Sequence, residues 1–238
     1  MATTSLAARI ARTDWNAIAE RLDEQGFAMT GTLLAADECG ALASLYDDER
    51  RFRSRVVMAQ HNFGVGEYKY FAYPLPKIVQ TLRHSFYPRL APIANRWADA
   101  LGEEPLFPPT LDRYLENCHA AGQERPTPLL LKYATGGYNC LHQDLYGNLV
   151  FPFQLTILLS SSGRDFAGGE FLLTEQRPRM QSRATVVPLL QGEAVIFPVR
   201  ARPVRGKRGF YRAAMRHGVS TITSGHRMTL GIIFHDAK

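Results

Sequence analysis

The chain has 238 residues, of which 45% are hydrophobic and 21% are charged. This composition excludes a disordered chain, and the length suits a single domain over residues 1–238. No apolar run approaches the roughly 18 residues of a membrane span, and the N-terminus lacks the apolar core of a secretory signal. The three cysteines lack CxxC spacing, which argues against a disulfide framework or a cysteine zinc site. We therefore expect a cytoplasmic protein without a membrane partner.

The positive charge is concentrated in one part of the chain. The net charge is +6, but residues 177–216 carry ten Lys or Arg and one acid, a local charge of +9. The remaining residues therefore sum to −3 (6 − 9). A partner or a substrate that carries negative charge is one explanation of such a segment, and a solvated basic loop without a partner is the other.

The first hundred residues show mostly helical patterns. Asp14 is a predicted N-cap, and apolar residues at helical spacing follow it. A strand is predicted over 26–34, and the next helix has Asp37 as its predicted cap. We expect residues 1–105 to form a mainly helical support and lid for a β core over 106–238.

Two stretches in this region are less regular. The helical pattern from about Lys77 to Leu101 contains Pro88 and Pro92, which should break or kink the helix, so we expect two pieces. The aromatic and glycine-rich segment 56–76 has no clean period. It predicts strands or loops, either as a hairpin lid or as aromatic side chains packed against the helices.

From about residue 127 the pattern changes to short β-rich runs. Eight runs follow within about 110 residues, separated by turn signals such as ATGG and LQGE. Strands at this spacing are typical of a sandwich or barrel, and eight of them suit a jelly roll. The predicted fold class is α+β, with a double-stranded β-helix (jelly-roll) core and N-terminal helices packed against it.

A group of metal-ligand residues lies within these runs. His142 and Asp144 are two residues apart at the end of the second run, so their side chains point to one face of a strand. His217 opens the seventh run and supplies a third ligand. Two histidines and one carboxylate form the facial triad of non-haem Fe(II) oxygenases. Arg227, ten residues after His217, is a cationic fork for a carboxylate, and the Tyr133 hydroxyl is a second donor.

These residues lie within a longer resemblance. The segments KYATGGYNCLHQD, FAGGEF, GEAVIFP and RHGVSTITSGHR resemble the Fe(II)/2-oxoglutarate-dependent dioxygenases, above all the prolyl 4-hydroxylase-like group. In that family a Tyr-x-x-Gly segment precedes the HxD, a Gly-Gly-Glu segment follows it, and a basic residue follows the distal His. The resemblance covers roughly 127–236. The N-terminal GFAMTGTLLAADECGALASLY is similar to the family's strand-then-helix preface.

The resemblance implies a set of roles. His142, Asp144 and His217 would hold Fe(II), and Arg227 would pair with 2-oxoglutarate with help from Tyr133. Dioxygen would take the remaining position, and hydroxylation of a substrate C–H bond would release succinate and CO2. Thr229 is two residues after Arg227 on the same strand and is either a further cosubstrate contact or an ordinary strand threonine. The other histidines are not expected to be ligands: His61, His84, His119, His226 and His235.

The basic segment bears on the substrate. It links the sixth run to the run with His217, so we expect it beside the open mouth, with these residues at the rim: Arg200, Arg202, Arg205, Lys207, Arg208, Arg212 and Arg216. Phe210 and Tyr211 lie among them. Cations bind phosphates and aromatic rings stack on bases, a pattern that indicates single-stranded DNA or RNA.

Three functions follow from these observations. The first is an oxygenase acting on nucleic acid, with oxidative dealkylation and DNA repair as its chemistry. The HQD and YxxGG segments are similar to those of AlkB-like enzymes. However, that group places its arginine farther from the distal His and has a second arginine where this chain has Ile233. The second is a prolyl-type protein or peptide hydroxylase, or a small-molecule hydroxylase. The third is a metal-free jelly-roll binding module.

Overall fold

The computed structural model describes residues 4–104 and 107–238. The helices are α1 Leu6–Ala11, α2 Trp15–Gln25, α3 Ala36–Ser44, α4 Lys77–Ala100 and α5 Leu111–Ala120. The strands are β1 Ala28–Thr32, β2 Phe52–Val57, β3 Gly64–Val65, β4 Glu67–Phe71, β5 Leu129–Ala134, β6 Tyr138–His142, β7 Phe153–Leu158, β8 Phe166–Gly168, β9 Phe171–Gln176, β10 Arg183–Val187, β11 Glu193–Pro198, β12 Ala201–Gly206, β13 Gly209–Val219 and β14 Ile222–Ile233.

The strands form two antiparallel sheets. The larger sheet has the order β1-β11-β7-β14-β5-β4-β2, with β8 paired to β14. The smaller sheet has the order β10-β9-β13-β6-β3, with β12 paired to β13. The jelly-roll prediction is confirmed. Strands from before residue 105 join both sheets, and the assignment of the whole chain to one dioxygenase domain stays a prediction.

The helices cover the outer face of the larger sheet. Along β7 the side chains alternate, so that Phe153 and Leu155 pack in the core shared with the helices. The Trp97 ring of α4 lies 4.5 Å from the Phe153 ring, centroid to centroid. The alternate residues of β7, Gln154 and Thr156, line a cavity between the two sheets. No helix in the described part of the chain is long and apolar enough to cross a membrane.

Two predictions about the helices were wrong. α4 is continuous from Lys77 to Ala100, although Pro88 and Pro92 lie inside it. Its buried face outweighs the lost hydrogen bonds, because tertiary packing supplies most helix stability in proteins. Asp37 is not the cap of α3. The N-cap is Ala35, whose N–H donates to the Glu38 carboxylate at 2.8 Å.

The irregular segment 56–76 contributes strands to both sheets. β2 pairs with β4, and β4 pairs with β5 at the sheet edge. Phe71 and Tyr70 are buried as the packing interpretation expected, whereas Phe63 and Tyr73 are exposed. The segment therefore combines both expectations: its three strand stretches join the sheets, and the short stretch around β3 lies at the mouth of the cavity.

Candidate active site

The two imidazoles and the carboxylate predicted from the sequence converge on one point. His142 ends β6 and pairs in register with His217 on β13, and their rings lie 4.1 Å apart. The Asp144 carboxylate lies 3.2 Å from His217 Nε2 and 3.5 Å from His142 Nε2. One ligand atom from each residue lies within 4.8 Å of the others. In the described residues no other such cluster occurs, so none of the five remaining histidines joins one.

The protonation states of two of these residues, Asp144 and His217, suit a metal. Burial acts to raise the pKa of Asp144, but the adjacent imidazoles hold that pKa well below its usual range. Burial and the charge of His142 lower the pKa of His217. At neutral pH the site therefore offers an ionised carboxylate and a neutral buried imidazole, the forms in which these groups bind metals. His142 Nδ1 lies 2.8 Å from the Cys140 carbonyl, an arrangement that leaves Nε2 facing the cluster.

A tyrosine pair fixes the orientation of the carboxylate. The Tyr146 hydroxyl donates to Asp144 Oδ1 at 2.8 Å, and the Tyr70 hydroxyl donates to Tyr146 at 2.9 Å. Burial and the charge of Asp144 raise the pKa of Tyr146 far above its ordinary value, so this phenol stays a donor. Partners of this kind hold metal ligands in place and tune their basicity.

Arg227 is a buried cation without an anionic partner among the described residues. Its side chain is 1% exposed, and neither Nε nor Nη1 has a hydrogen-bond partner there. Burial lowers its pKa to about 10, so it is still protonated at neutral pH. The guanidinium lies between the rings of Tyr133 and Phe166, 5.9 and 5.8 Å from their centroids. An unpaired buried charge is costly, so this arrangement fits an anionic ligand.

The surroundings of Arg227 leave room for that ligand. The Tyr133 hydroxyl is also buried, with no hydrogen-bond partner among residues 4–104 and 107–238, and Thr229 lines the same cavity. Gly169 has φ +64°, and a Cβ there would lie 3.0 Å from Arg227 Cδ and overlap Ile222. The cavity, about 370 Å³ in volume, joins this end to the cluster of His142, Asp144 and His217. The residues present fit both Fe(II) and a chelating dicarboxylate.

The cavity opens on an apolar rim. Phe63, Leu141 and Leu145 line the mouth and are 48%, 46% and 46% exposed. The His61 ring stacks on Phe63 with centroids 5.3 Å apart, and Cys140 N–H donates to the Phe63 carbonyl at 2.9 Å. The rim is therefore attached directly to the strand that carries His142.

The basic segment that links the sixth run to His217 does not lie wholly beside the mouth of the cavity, where the sequence predicts it. It is the hairpin β12–β13, and His217 lies near the end of its second strand, not at the start of a new one. Arg212 and Arg216 are exposed on the face opposite to the buried His217, and Arg212 pairs with Glu103. The expected rim of cations at the mouth is thus wrong for these two.

Arg202 does not belong to the exposed set either. It is 2% exposed, donates to Glu175 at 2.6 Å and to the Asp23 carbonyl at 2.8 Å, and so joins the hairpin to α2. The remaining cations of the hairpin region are exposed: Arg200, Arg205, Lys207 and Arg208. Phe210 is 51% exposed and Tyr211 is half-buried.

The cavity residues that the sequence does not identify include Tyr146, Gln154 and Phe63. Tyr146 had a signal, since it follows Asp144 by two residues. Gln154 is one polar residue inside an apolar run, and nothing local shows which ligand it faces. Phe63 belongs to a segment without a clean period, so its exposure could not be read from the sequence.

Comparison with known proteins decides the family. Residues 66–237, well over half of the chain, match the model of the family Oxygenase-NA, described as "Oxygenase, catalysing oxidative methylation of damaged DNA". The chain belongs to this oxygenase family. Two uncharacterized proteins from two strains of Mycobacterium tuberculosis are 53% identical to this oxygenase over 167 residues, which is 70% of this chain and 72% of each relative.

Solved structures of the same fold are more distant in sequence. A Pseudomonas putida prolyl-4-hydroxylase has a TM-score of 0.54 at 14% identity, over 94% of this oxygenase and 99% of that chain. A 2-oxoglutarate–Fe(II) oxygenase from Burkholderia pseudomallei has a TM-score of 0.51 at 17% identity, over 95% and 94%. This oxygenase is an Fe(II)/2-oxoglutarate-dependent dioxygenase, so that prediction, with Fe(II), 2-oxoglutarate and O2 as cofactors, is confirmed.

Proposed function

We propose that this oxygenase oxidises alkyl groups on the bases of single-stranded nucleic acid and thereby removes alkyl damage. The observation that carries the proposal is the +9 charge of residues 177–216 in a chain whose remainder is −3 (6 − 9). Phosphate backbones bind such surfaces through release of counterions. The family description, which names damaged DNA, supports the same substrate class.

The cofactors determine whether the reaction adds or removes a methyl group. Dioxygen and 2-oxoglutarate oxidise C–H bonds and supply no methyl donor, so a methylated base would lose its methyl group. One oxygen atom of O2 enters the methyl C–H bond. The other enters succinate as 2-oxoglutarate loses CO2. The resulting N-hydroxymethyl group breaks at the C–N bond, which releases formaldehyde and restores the base.

Each part of the site has a proposed role. His142, Asp144 and His217 bind Fe(II), which on binding supplies the oxidising chemistry. Arg227 pairs with the far carboxylate of 2-oxoglutarate, with Tyr133 donating and Thr229 beside it. The apolar cavity wall excludes water from the oxidant.

The nucleic acid contacts divide between two places. The hairpin tip, eight residues from His217, lies about 26 Å away along the strand. The tip therefore contacts nucleotides that flank the target. Its proposed contacts are phosphate ligands and stacking rings: Arg205, Lys207, Arg208, Arg212, Phe210 and Tyr211. Phe63 at the mouth stacks on a base close to the target.

The test is turnover with defined substrates. The protein with Fe(II) and 2-oxoglutarate is offered single-stranded oligonucleotides with N-methylated bases, the same oligonucleotides unmethylated, and a library of proline-containing peptides. We expect succinate and formaldehyde release only with the methylated strands. Hydroxylated peptides without oxidised bases would instead support the prolyl-type hydroxylase, and absence of metal-dependent succinate release on any substrate would support a binding module.

A further inference from the structure

Gln154 is a buried amide inside the active-site cavity that no described residue satisfies. Its side chain is 4% exposed, lies on the cavity face of β7, and its Nε2 has no hydrogen-bond partner in the described chain. A buried donor left unpaired destabilises the fold. Such a donor next to a reaction centre is most simply explained by a ligand that accepts its hydrogen bond.

The position of Gln154 separates it from the cosubstrate anchor. In the sheet register Gln154 pairs with Ile233 on β14, six residues beyond Arg227, or about 20 Å along the strand. On its other side Gln154 pairs with Phe197, whose ring lies 4.8 Å from the His217 ring. Gln154 therefore lies near the metal-ligand cluster, at the end of the cavity remote from Arg227.

Two tyrosine hydroxyls near this end are already engaged. Tyr70, which clusters with Ile233, donates to Tyr146, and Tyr146 donates to Asp144. Leu129 and Leu145 contribute apolar wall. A largely aromatic and apolar wall with the free amide donor of Gln154 fits a flat heteroaromatic ring that carries an acceptor. Enzymes that act on a base outside its stack read it by this combination of stacking and hydrogen bonding to its edge.

We propose that Gln154 is a substrate-recognition residue, whose Nε2 donates to a ring nitrogen or carbonyl oxygen of the target nucleobase. The proposal rests on the proposed function, since the substrate class comes from there. It assigns the end of the cavity opposite Arg227 to the base and the Arg227 end to 2-oxoglutarate.

The test compares Gln154→Met, which keeps an unbranched side chain of similar length but removes the donor, with Gln154→Asn, which keeps the amide and shortens it. Gln191→Met is the matched control, because the Gln191 amide donates to the Leu159 carbonyl outside the cavity. We expect Gln154→Met to lower kcat/KM for a methylated single-stranded oligonucleotide about 10- to 100-fold. Gln154→Asn should fall between this variant and the wild type. The Kd for 2-oxoglutarate, titrated with Mn(II) bound, should stay within about twofold in both.

The outcomes separate the two proposals. If the wild type oxidises the oligonucleotide and Gln154→Met does so equally well, the assignment of Gln154 is overturned while the proposed function stands. Loss of 2-oxoglutarate affinity in Gln154→Met also overturns it, because the donor then serves the cosubstrate. A wild type that oxidises no oligonucleotide overturns the proposed function and with it the nucleobase as ligand. Thermal melting of each variant checks that the fold is kept.

Discussion

Asp144 has two carboxylate oxygens, and Tyr146 occupies one of them. The tyrosine donates to Oδ1, while Oδ2 lies toward His217. Tyr146→Phe removes this donor and frees the carboxylate to rotate. We expect Fe(II) affinity to fall about 10- to 100-fold, the usual cost of losing a group that orients a metal ligand. Anaerobic Fe(II) titration measures it.

The control for this variant is another buried phenol. The Tyr114 hydroxyl lies in the helix core without a partner among the described residues, and Tyr114→Phe should leave Fe(II) affinity unchanged. Equal metal affinity in Tyr146→Phe and wild type would show that backbone geometry alone holds Asp144.

His235 makes the fold sensitive to acid. The ring is buried, and its Nδ1 accepts a hydrogen bond from Phe151 N–H. Burial, followed by the charge of Arg83, lowers its pKa to about 4. An unfolded histidine titrates near ~6.5, so between these values the unfolded state binds more protons and stability falls as pH falls. We expect a loss of about 2 kcal/mol from pH 7 to 5.

Urea denaturation at the two pH values measures this loss. In His235→Gln the difference between pH 7 and pH 5 should shrink by most of that amount, whatever the variant costs at pH 7. A loss of the same size in the variant would assign the acid sensitivity to other groups, of which His217 is one, since its pKa is also lowered.

At the scale of elements, the sequence predicts the site residues whose positions depend on neighbours close by in the chain. The spacing of His142 and Asp144 predicts a common face, and their side chains do converge although Asp144 lies just beyond the end of β6. Arg227 was found because its spacing from His217 resembles a family pattern. Gln154 was not found, because its place in the cavity follows from the register with Ile233 and Phe197, partners 79 and 43 residues away. Non-local pairing of this kind leaves no mark within the run itself.

The dependence on contacts far apart in the chain also explains the wrong predictions for α4 and the basic segment. Pro88 and Pro92 predict a break, but Phe86, Leu90 and Trp97 of the helix are buried in the core that it shares with the sheet. The basic segment looks like a loop because it is charged and contains glycines. As a hairpin it alternates, with Arg212 and Arg216 outward and Met215 and His217 inward, and only the pairing with β9 shows which face is inside.

The hairpin tip provides a test of nucleic acid binding at the level of an element. Replacing Arg205, Lys207 and Arg208 by Gln removes three exposed charges. For a single strand the slope of log K against log salt should become smaller by about 2, since each phosphate contact contributes about 0.7. Binding of a labelled oligonucleotide by anisotropy over a salt series measures the slope.

The matched control neutralises three exposed arginines of the N-terminal helical region: Arg12, Arg21 and Arg89. This variant has the same net charge as the hairpin variant. A smaller slope in the hairpin variant alone places phosphates at the tip. Equal changes in both would show a general charge effect and remove the hairpin from the binding surface.

At the scale of the whole molecule, the cavity joins stability to cofactor binding. The buried charge of Arg227 lowers the stability of the folded state until an anion pairs with it. The metal site of His142, Asp144 and His217 exists only in the folded state. A ligand that binds the folded state alone, at 100 times its Kd, stabilises it by about 2.7 kcal/mol. For a chain of this length that shift is about 5–10 °C in melting temperature.

The last prediction separates the two cofactors by calorimetry. We expect Mn(II) to raise Tm in both wild type and Arg227→Met, and 2-oxoglutarate to add a further shift in wild type alone, because the variant should bind it about 100-fold more weakly. Without ligands, Arg227→Met should melt no lower than wild type, since a buried unpaired charge has become an apolar side chain. Arg216→Met, on the exposed outer face, is the control and should keep the full 2-oxoglutarate shift. A full 2-oxoglutarate shift in Arg227→Met would place the cosubstrate elsewhere in the cavity.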